Sequence, residues 1–365
     1  MKISAWLAAG VLIAQSGPGL ARTPAHSEAA EALEIAADRV EADYFDEKEA
    51  PRIAARLRAE ARLARRGSAS GEAFAEAMTK LVRALSRDEH FGFRYSPEAM
   101  PADIFADKPA AEVESAAART ARINNFGILK AERLRGNIGL VDIDAFTAPE
   151  RMRGPLAAAM ELLRHCDALI VDLRYNGGGH ARGAALAASY FLPQAPDRLL
   201  VRFETRNAAQ SLDIRTEGEL EAPRFLDKPV YVLTGPATFS AAELFARVMQ
   251  RSGRAKVVGV KTRGGGNPSE RVRLTPHFGM MLPTTRSLVD GRERLVDASI
   301  TPDLPVPAKD ALVQAQRAAL SALLAARPGD VLAESWTAAL AALPPPPEAG
   351  GKPDSAMPSP GGPSR

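Results

Sequence analysis

From residue 127 to about residue 306, short apolar stretches with strand character alternate with helical patterns. The clearest buried-strand patterns lie at 168–173 and 230–233, and helices are predicted at about 149–165 and 180–191. This alternation predicts an α/β core with a parallel or mixed sheet, assigned here to residues 125–310. Sites in such sheets gather at the carboxyl ends of the strands. The segments after Leu173 and Leu233 are therefore the first candidates.

The chain on either side of this core has a different composition. Residues 28–95 are rich in Ala, Glu and Arg, with apolar residues at helical spacing, and predict a small N-terminal helical bundle domain. Residues 96–122 have the composition of a polar linker with a further helix. Residues 311–343 predict C-terminal helices. The Pro-, Gly- and Ser-rich residues 344–365 cannot bury enough apolar surface to order themselves and predict a disordered tail.

The N-terminus has the pattern of an export signal. Lys2 is followed by an apolar run over 3–14 and by small residues ending at Ala21. Such a run is too short to span a bilayer, so residues 1–21 predict a signal peptide and a periplasmic or secreted protein. A retained membrane anchor is the alternative. Later segments are not apolar enough to predict stable membrane insertion.

Composition excludes several classes of function. The formal net charge is only +3, the basic residues are spread along the chain, and aromatic residues make up 5%. These values argue against a nucleic-acid partner. The single cysteine, Cys166, permits no intramolecular disulfide and is predicted to be a buried core thiol. We expect no cofactor and no metal site. The sequence gives no indication of the oligomeric state.

Ser240 lies where a strand pattern turns into an amphipathic helix pattern, after Gly235 and Pro236. Backbone N–H groups at a helix N-terminus are unpaired and point outward, so a nucleophile and an oxyanion hole can form there together. Serine is also a favoured N-cap residue. This segment alone leaves both interpretations open.

The second candidate segment runs from Asp172 to three successive glycines, 177–179. Glycines allow close approach of the backbone to a ligand and expose N–H donors, which predicts an anion or oxyanion cradle. A phosphate-binding loop is disfavoured because the segment lacks the Gly-Lys-Ser/Thr ending and the GxGxxG spacing. A serine nucleophile also needs a base, most often histidine. Residue patterns alone do not choose among His90, His180 and His277.

Three segments together carry a family resemblance. They are Asp-Leu-Arg-Tyr-Asn-Gly-Gly-Gly at 172–179, Thr-Phe-Ser-Ala-Ala-Glu at 238–243 and Val-Gly-Val-Lys-Thr-Arg-Gly-Gly-Gly at 258–266. They resemble the tail-specific (C-terminal processing) serine peptidase family. Ile-Thr-Pro-Asp-Leu-Pro-Val at 300–306 resembles the strand signature of that family. The resemblance extends over about 30–310. It implies a mixed-sheet α/β core of the crotonase-like or ClpP-like spiral type beside the helical bundle.

The family has two catalytic designs. The lysine base of the processing-protease branch would fall at Gly265, and Lys261 lies four residues earlier at a variable position. No PDZ-like insertion is evident either. The sequence is therefore similar to the tricorn-core and interphotoreceptor retinoid-binding-protein-like branch. In that branch the base is a histidine in an Asp-x-His-like motif at the end of the N-terminal helical domain, and His90 matches it.

The resemblance implies a role for each matched residue. Ser240 would be the nucleophile and His90 the base, with oxyanion donors at Gly178 and Ala241 and with Gly177 as competitor for Gly178. The acid that orients the histidine falls near Val296, and Asp297 would replace it after a one-residue shift. Glu243 and Thr262 match positions that recur in the family. Each has an alternative, purely structural role: Glu243 in the electrostatics of the helix start and Thr262 in turn hydrogen bonding. Arg174 is expected to brace the glycine loop.

These residues predict an exported serine-type peptidase that acts on a peptide or protein substrate. Two alternatives remain. Retinoid-binding relatives use this fold to carry apolar ligands, so a non-catalytic carrier is possible on the same scaffold. An esterase would use the same nucleophile chemistry, but the usual Gly-x-Ser-x-Gly elbow is absent.

Overall fold

The computed structural model describes residues 26–65, 70–102, 119, 121–194, 198–206, 210–289, 293–294 and 299–345. The predicted signal peptide, most of the predicted linker and nearly all of the predicted tail lie outside these residues. The helices are α1 (His26–Asp43), α2 (Ala50–Ala64), α3 (Gly71–Ser86), α4 (Pro149–Leu162), α5 (Ala181–Ser189), α6 (Ala241–Arg251), α7 (Ala311–Ala326) and α8 (Ala333–Ala341).

The strands form three sheets. They are β1 (Gly92–Tyr95), β2 (Ile128–Leu134), β3 (Ile138–Ile143), β4 (Ala168–Asp172), β5 (Leu199–Thr205), β6 (Ser211–Arg215), β7 (Val230–Thr234), β8 (Lys256–Gly259), β9 (Ser269–Arg273), β10 (Phe278–Pro283), β11 (Thr285–Val289), β12 (Glu293–Arg294) and β13 (Leu304–Pro305). The order of hydrogen-bonded strands is β13-β8-β7-β4-β3-β2 in the first sheet, β12-β11-β5-β6 in the second and β1-β10-β9 in the third.

The six-stranded sheet is the centre of the α/β core. Its strands are parallel except for β2, which pairs antiparallel with β3. Because side chains alternate between faces, Val171 packs under α4, α5 and α6 while Ile170 packs under α7 and α8. β4 and β7 are buried throughout, as their apolar runs indicate. The mixed-sheet α/β fold class is confirmed.

The N-terminal helices share a hydrophobic core with a distant part of the chain. Leu33 of α1 and Leu57 of α2 pack in one cluster with Phe278 and Leu282 of β10. β1 follows α3 and pairs antiparallel with β10, with Gly92 opposite Met281. The helices are therefore attached to the core by a strand that the helical periodicity of residues 28–95 did not predict.

Phe91 is the residue at which these parts meet. Its side chain is fully buried, in ring contact with Tyr44 and in the same cluster as Phe278. We expect Phe91→Ala to lower the free energy of unfolding by about 3–5 kcal/mol, because large-to-small core changes lose burial and leave a cavity. Denaturant titration followed by circular dichroism measures this.

Leu63→Ala is the matched control, because the Leu63 side chain on α2 is 63% exposed. Its expected effect is within about 0.5 kcal/mol. Equal destabilisation by the two substitutions would contradict the shared core.

Candidate active site

Ser240 occupies a strained backbone position between β7 and α6. Its φ is 55° and its ψ is −119°, and α6 begins at the next residue. A non-glycine residue in such a sparsely populated region costs about 1–3 kcal/mol and persists only where its surroundings enforce it. Thr238 supplies part of that enforcement: its hydroxyl accepts from the Gly235 N–H at 2.8 Å and donates to the Leu173 carbonyl at 2.7 Å. The serine side chain is thereby presented at the carboxyl edge of the sheet.

The Glu243 carboxylate holds the serine turn against a second loop. Its Oε2 accepts from the N–H of Ser240 and of Gly265, each at 2.8 Å. Its Oε1 accepts from the Gly264 N–H at 2.7 Å and from the Thr262 hydroxyl at 2.5 Å. Thr262 in turn accepts from the Ile300 N–H. Burial raises the pKa of Glu243, and these four hydrogen bonds offset part of the rise.

His90 lies beside the serine turn, and Phe239 connects the two. The His90 ring packs on the Phe239 ring at a centroid distance of 4.5 Å, and Phe239 directly precedes Ser240. A Cβ atom at Gly265 would lie 2.7 Å from His90 Cε1 and closer still to the Phe239 ring. The absence of a side chain at Gly265 therefore makes room for the imidazole.

Asp88 is the carboxylate that faces His90. Asp88 Oδ1 accepts from the His90 N–H at 2.8 Å and lies 3.5 Å from His90 Nδ1. Asp88 Oδ2 accepts from Asn267 Nδ2 at 2.8 Å. His90 Nδ1 is buried and has no hydrogen-bond partner among the described residues. A small rotation of either side chain would close this gap, so the Asp88 carboxylate is placed to orient the imidazole.

The glycine loop lies against Ser240. A Cβ at Gly178 would be 2.8 Å from Ser240 Cβ and 3.0 Å from Ala241 N. The Gly178 N–H, however, donates to Asn176 Oδ1 at 2.7 Å, so in this conformation it is engaged. No acceptor for the N–H groups of Gly177 and Ala241 lies among the described residues. Of the two glycines, Gly177 is therefore the one whose N–H has no acceptor among the described residues and could donate to a ligand in this conformation.

Arg174 braces the end of β4. Its guanidinium contacts both carboxylate oxygens of Asp172, at 2.7 Å at the closest, and donates to the Ala308 carbonyl at 3.0 Å. Asp142 on β3 is opposite Asp172 in the parallel register. Burial, together with the neighbouring Asp172 and Asp144 carboxylates, raises the pKa of Asp142 to about 6. Arg174 thus supports the strand ends below the glycine loop.

The other predicted residues are placed differently. The His180 side chain caps α5, where its Nδ1 accepts from the Arg182 N–H, and burial lowers its pKa. His277 Nδ1 contacts the Ser96 carbonyl at 2.9 Å. Asp297 and Val296 lie outside the described residues. Asp88 was not among the residues predicted from the sequence, although it forms the Asp-x-His pattern with His90.

The arrangement of β4, β7 and their two loops agrees with known proteins. Residues 137–306 match the family model described as peptidase family S41. Over these residues the chain is similar to peptidase family S41. The matched range contains Ser240, the glycine loop, Glu243 and Thr262, whereas His90 and Asp88 lie before it.

Two curated relatives each match less than half of this chain. A "Probable CtpA-like serine protease" of Staphylococcus haemolyticus is 29% identical over 160 residues, which are 43% of this chain and 28% of that protein. A carboxy-terminal-processing protease of Bartonella bacilliformis is 27% identical over 187 residues, which are 48% of this chain and 41% of that protein. The chain thus spans less than half the length of these relatives.

A solved structure shares the fold over most of the chain. Mature CPAF superposes with a TM-score of 0.54 at 13% identity, and covers 84% of this chain and 99% of its own. At this identity the likeness concerns the fold alone. Within the described part of the S41-like core and its flanks, no group of His, Cys, Asp and Glu side chains could hold a metal ion. None of the described helices is both long and apolar enough to cross a membrane.

The Glu243 contacts predict a large effect of a small change. All four neighbours donate hydrogen bonds, so Glu243→Gln places an amide N–H₂ against two donors in either orientation. We expect a loss of at least about 2 kcal/mol in the free energy of unfolding, because bonds to a charged acceptor are lost and donors are left unpaired. Thermal and denaturant unfolding measure it.

Glu161→Gln serves as control, since the Glu161 side chain is 51% exposed and, among the described residues, forms an ion pair with Arg164 alone. A change within about 0.5 kcal/mol is expected there. If Glu243→Gln were equally mild, the carboxylate would not hold the serine turn.

Proposed function

We propose that this protein is an exported serine-type peptidase in which Ser240 is the nucleophile and His90 the general base. The observation that carries the proposal is the strained φ of Ser240 beside a histidine ring that packs on the adjacent Phe239. Strain of this kind clusters at catalytic sites because it presents a reactive side chain. A helix N-cap alone needs no positive φ, since N-cap residues ordinarily adopt β-region angles.

The reaction would follow the acyl-enzyme route. His90 removes the proton of the Ser240 hydroxyl as its oxygen attacks the peptide carbonyl, and then gives that proton to the leaving amine. The N–H groups of Gly177 and Ala241 hold the oxyanion, and one such donor contributes about 3 kcal/mol to transition-state stabilisation. Asp88 orients the ring and stabilises the imidazolium. Water then hydrolyses the acyl-enzyme.

The histidine design is supported by what fills the space beside Ser240. The lysine of the processing-protease branch would fall at Gly265, where even a Cβ would meet the His90 ring. A histidine from the N-terminal region and a lysine at 265 therefore compete for one volume. This supports the tricorn-core-like branch.

The substrate is proposed to be a peptide or protein, as the family that the core resembles indicates. Residues 1–21 support export to the periplasm or beyond. The carrier alternative is less well supported. It gives no reason for a strained serine beside a histidine.

Active-site labelling tests the nucleophile. A fluorophosphonate should modify one serine stoichiometrically, and peptide mapping should place the label on Ser240. Ser240→Ala removes the labelled site. His90→Ala should slow labelling by roughly 10²–10⁴-fold, because the general base that activates the hydroxyl is gone.

Circular dichroism establishes that each variant is folded, and Ser252→Ala, at the C-terminal end of α6, is the matched serine control. Folded wild-type protein that takes up no label, but binds a lipophilic dye tightly, would instead favour the carrier.

The orienting carboxylate can be tested separately. Asp88→Asn should reduce kcat roughly 10²–10⁴-fold with little change in KM. The His90 ring would lose the carboxylate that fixes its neutral tautomer and stabilises its imidazolium form. Steady-state assays of a peptide substrate measure both parameters.

Glu89→Gln is the neighbouring control, because the Glu89 carboxylate instead pairs with Arg83 at 2.7 Å. It should retain wild-type kcat. An Asp88→Asn variant with unchanged kcat would show that another acid orients His90, and Asp297 would become the leading candidate.

A further inference from the structure

The three-stranded sheet presents one face to the helices and the other face away from them. Phe93 on β1, Met280 on β10 and Val272 on β9 pack toward the cluster formed with the helices. Because strand residues alternate in direction, Arg94, Arg271 and Arg273 lie on the opposite side. We call these three residues and the positions between them the arginine face.

The charges of the arginine face are not neutralised. Arg94 and Arg271 are exposed, and neither forms an ion pair with a described residue. Arg273 Nε donates to the Met100 carbonyl at 3.0 Å, and no described carboxylate forms an ion pair with Arg273. Glu270 is the one acidic residue on these three strands, and it alternates with Arg271 and so belongs to the other side. Among the described residues, the face therefore carries three positive charges and no negative one.

Gly279 is buried and lies between two of the arginines. Arg94, Gly279 and Arg273 lie in one cross-strand row. Neighbouring strands are about 4.8 Å apart, so the two arginine backbones are separated by roughly 10 Å over a position without a side chain. Two long guanidinium side chains can converge on a carboxylate placed between them. A planar fork with paired donors is the group that best binds a carboxylate.

The arginine face is continuous with the candidate active site. His90 precedes Gly92 by two residues, in the turn that leads into β1. The next row contains Gly92, Met281 and Arg271, followed after about 7 Å by the row of Arg94 and Arg273. Arg263 is also exposed, and its guanidinium lies 4.4 Å from the centroid of the Phe239 ring, which packs on His90. Arg94 and Arg263 thus carry positive charges in the segments that adjoin His90, and no described carboxylate forms an ion pair with either.

We propose that the arginine face binds an acidic stretch of the polypeptide substrate, so that the enzyme selects peptides with Asp or Glu side chains, or a terminal carboxylate, near the scissile bond. This proposal rests on the proposed peptidase function for its consequence in catalysis. Binding of an acidic peptide to the arginine face does not itself require peptidase activity. An extended peptide places alternate side chains about 7 Å apart, which is the spacing of the two arginine rows.

Direct binding tests the surface without catalysis. Ser240→Ala protein is titrated into fluorescein-labelled peptides of roughly ten residues with Asp and Glu at alternate positions, and into the Asn and Gln counterparts, with binding followed by anisotropy. We expect the acidic peptide to bind at least about 10-fold more tightly at low salt, with the difference shrinking as salt rises. Amidation of the peptide C-terminus distinguishes a terminal carboxylate from acidic side chains.

Substitutions locate the binding site. Arg271→Gln, and the double change Arg94→Gln with Arg273→Gln, should each weaken acidic-peptide binding by roughly 3–10-fold or more. Arg164→Gln is the control, because Arg164 lies after α4 and pairs with Glu161. The Arg164→Gln variant should bind the acidic peptide as tightly as the parent protein does. Thermal melts establish that every variant is folded.

Several outcomes would overturn the proposal. Equal affinity for acidic and neutral peptides would do so, as would arginine variants that bind like the parent. Tighter binding of a DNA oligonucleotide than of the acidic peptide, lost in the same arginine variants, would make the face a general polyanion surface. Fluorophosphonate labelling of the wild type is scored separately, so failure of the peptidase function and failure of acidic selection give different results.

Discussion

The buried Glu243 carboxylate is the interaction on which the site depends. Four donors from two loops converge on its two oxygens, so one charge fixes the serine turn, the glycine-rich segment 264–266 and, through Thr262, the Ile300 backbone. Removing that charge from water is unfavourable, and the hydrogen bonds compensate only when all of them are present. The serine turn can remain strained because its neighbours are held by the same carboxylate.

A second constraint comes from the way the N-terminal region is attached. The helices, β1 and β10 form one hydrophobic cluster, and Asn267 extends from the glycine-rich segment to Asp88 across 179 residues of sequence. His90 and the Ser240 turn are therefore brought together across a packed interface. A site formed from such distant segments owes its precision to that shared core, because close packing leaves few alternative positions.

Local patterns predicted much of this arrangement. The apolar runs at 168–173 and 230–233 and the glycines at 177–179 placed the strands and both loops, because a buried strand followed by a turn leaves a clear local signal. β1 was not predictable, since its four residues acquire strand geometry only by pairing with β10 about 185 residues later. The role of Asp88 was hidden for a related reason: its partner Asn267 is remote. The Gly178 N–H donates to Asn176 Oδ1 because of the shape of the loop, which the number of glycines in the sequence does not predict.

The pairing of β1 with β10 also sets an order of events in synthesis. A chain that has emerged only to residue 277 already contains Ser240, Glu243 and His90, yet it lacks the strand against which β1 aligns. His90 cannot be held beside the Ser240 turn by this pairing until Phe278–Pro283 has been synthesised. The candidate site would thus stay incomplete through most of translation and would form only when β10 pairs with β1.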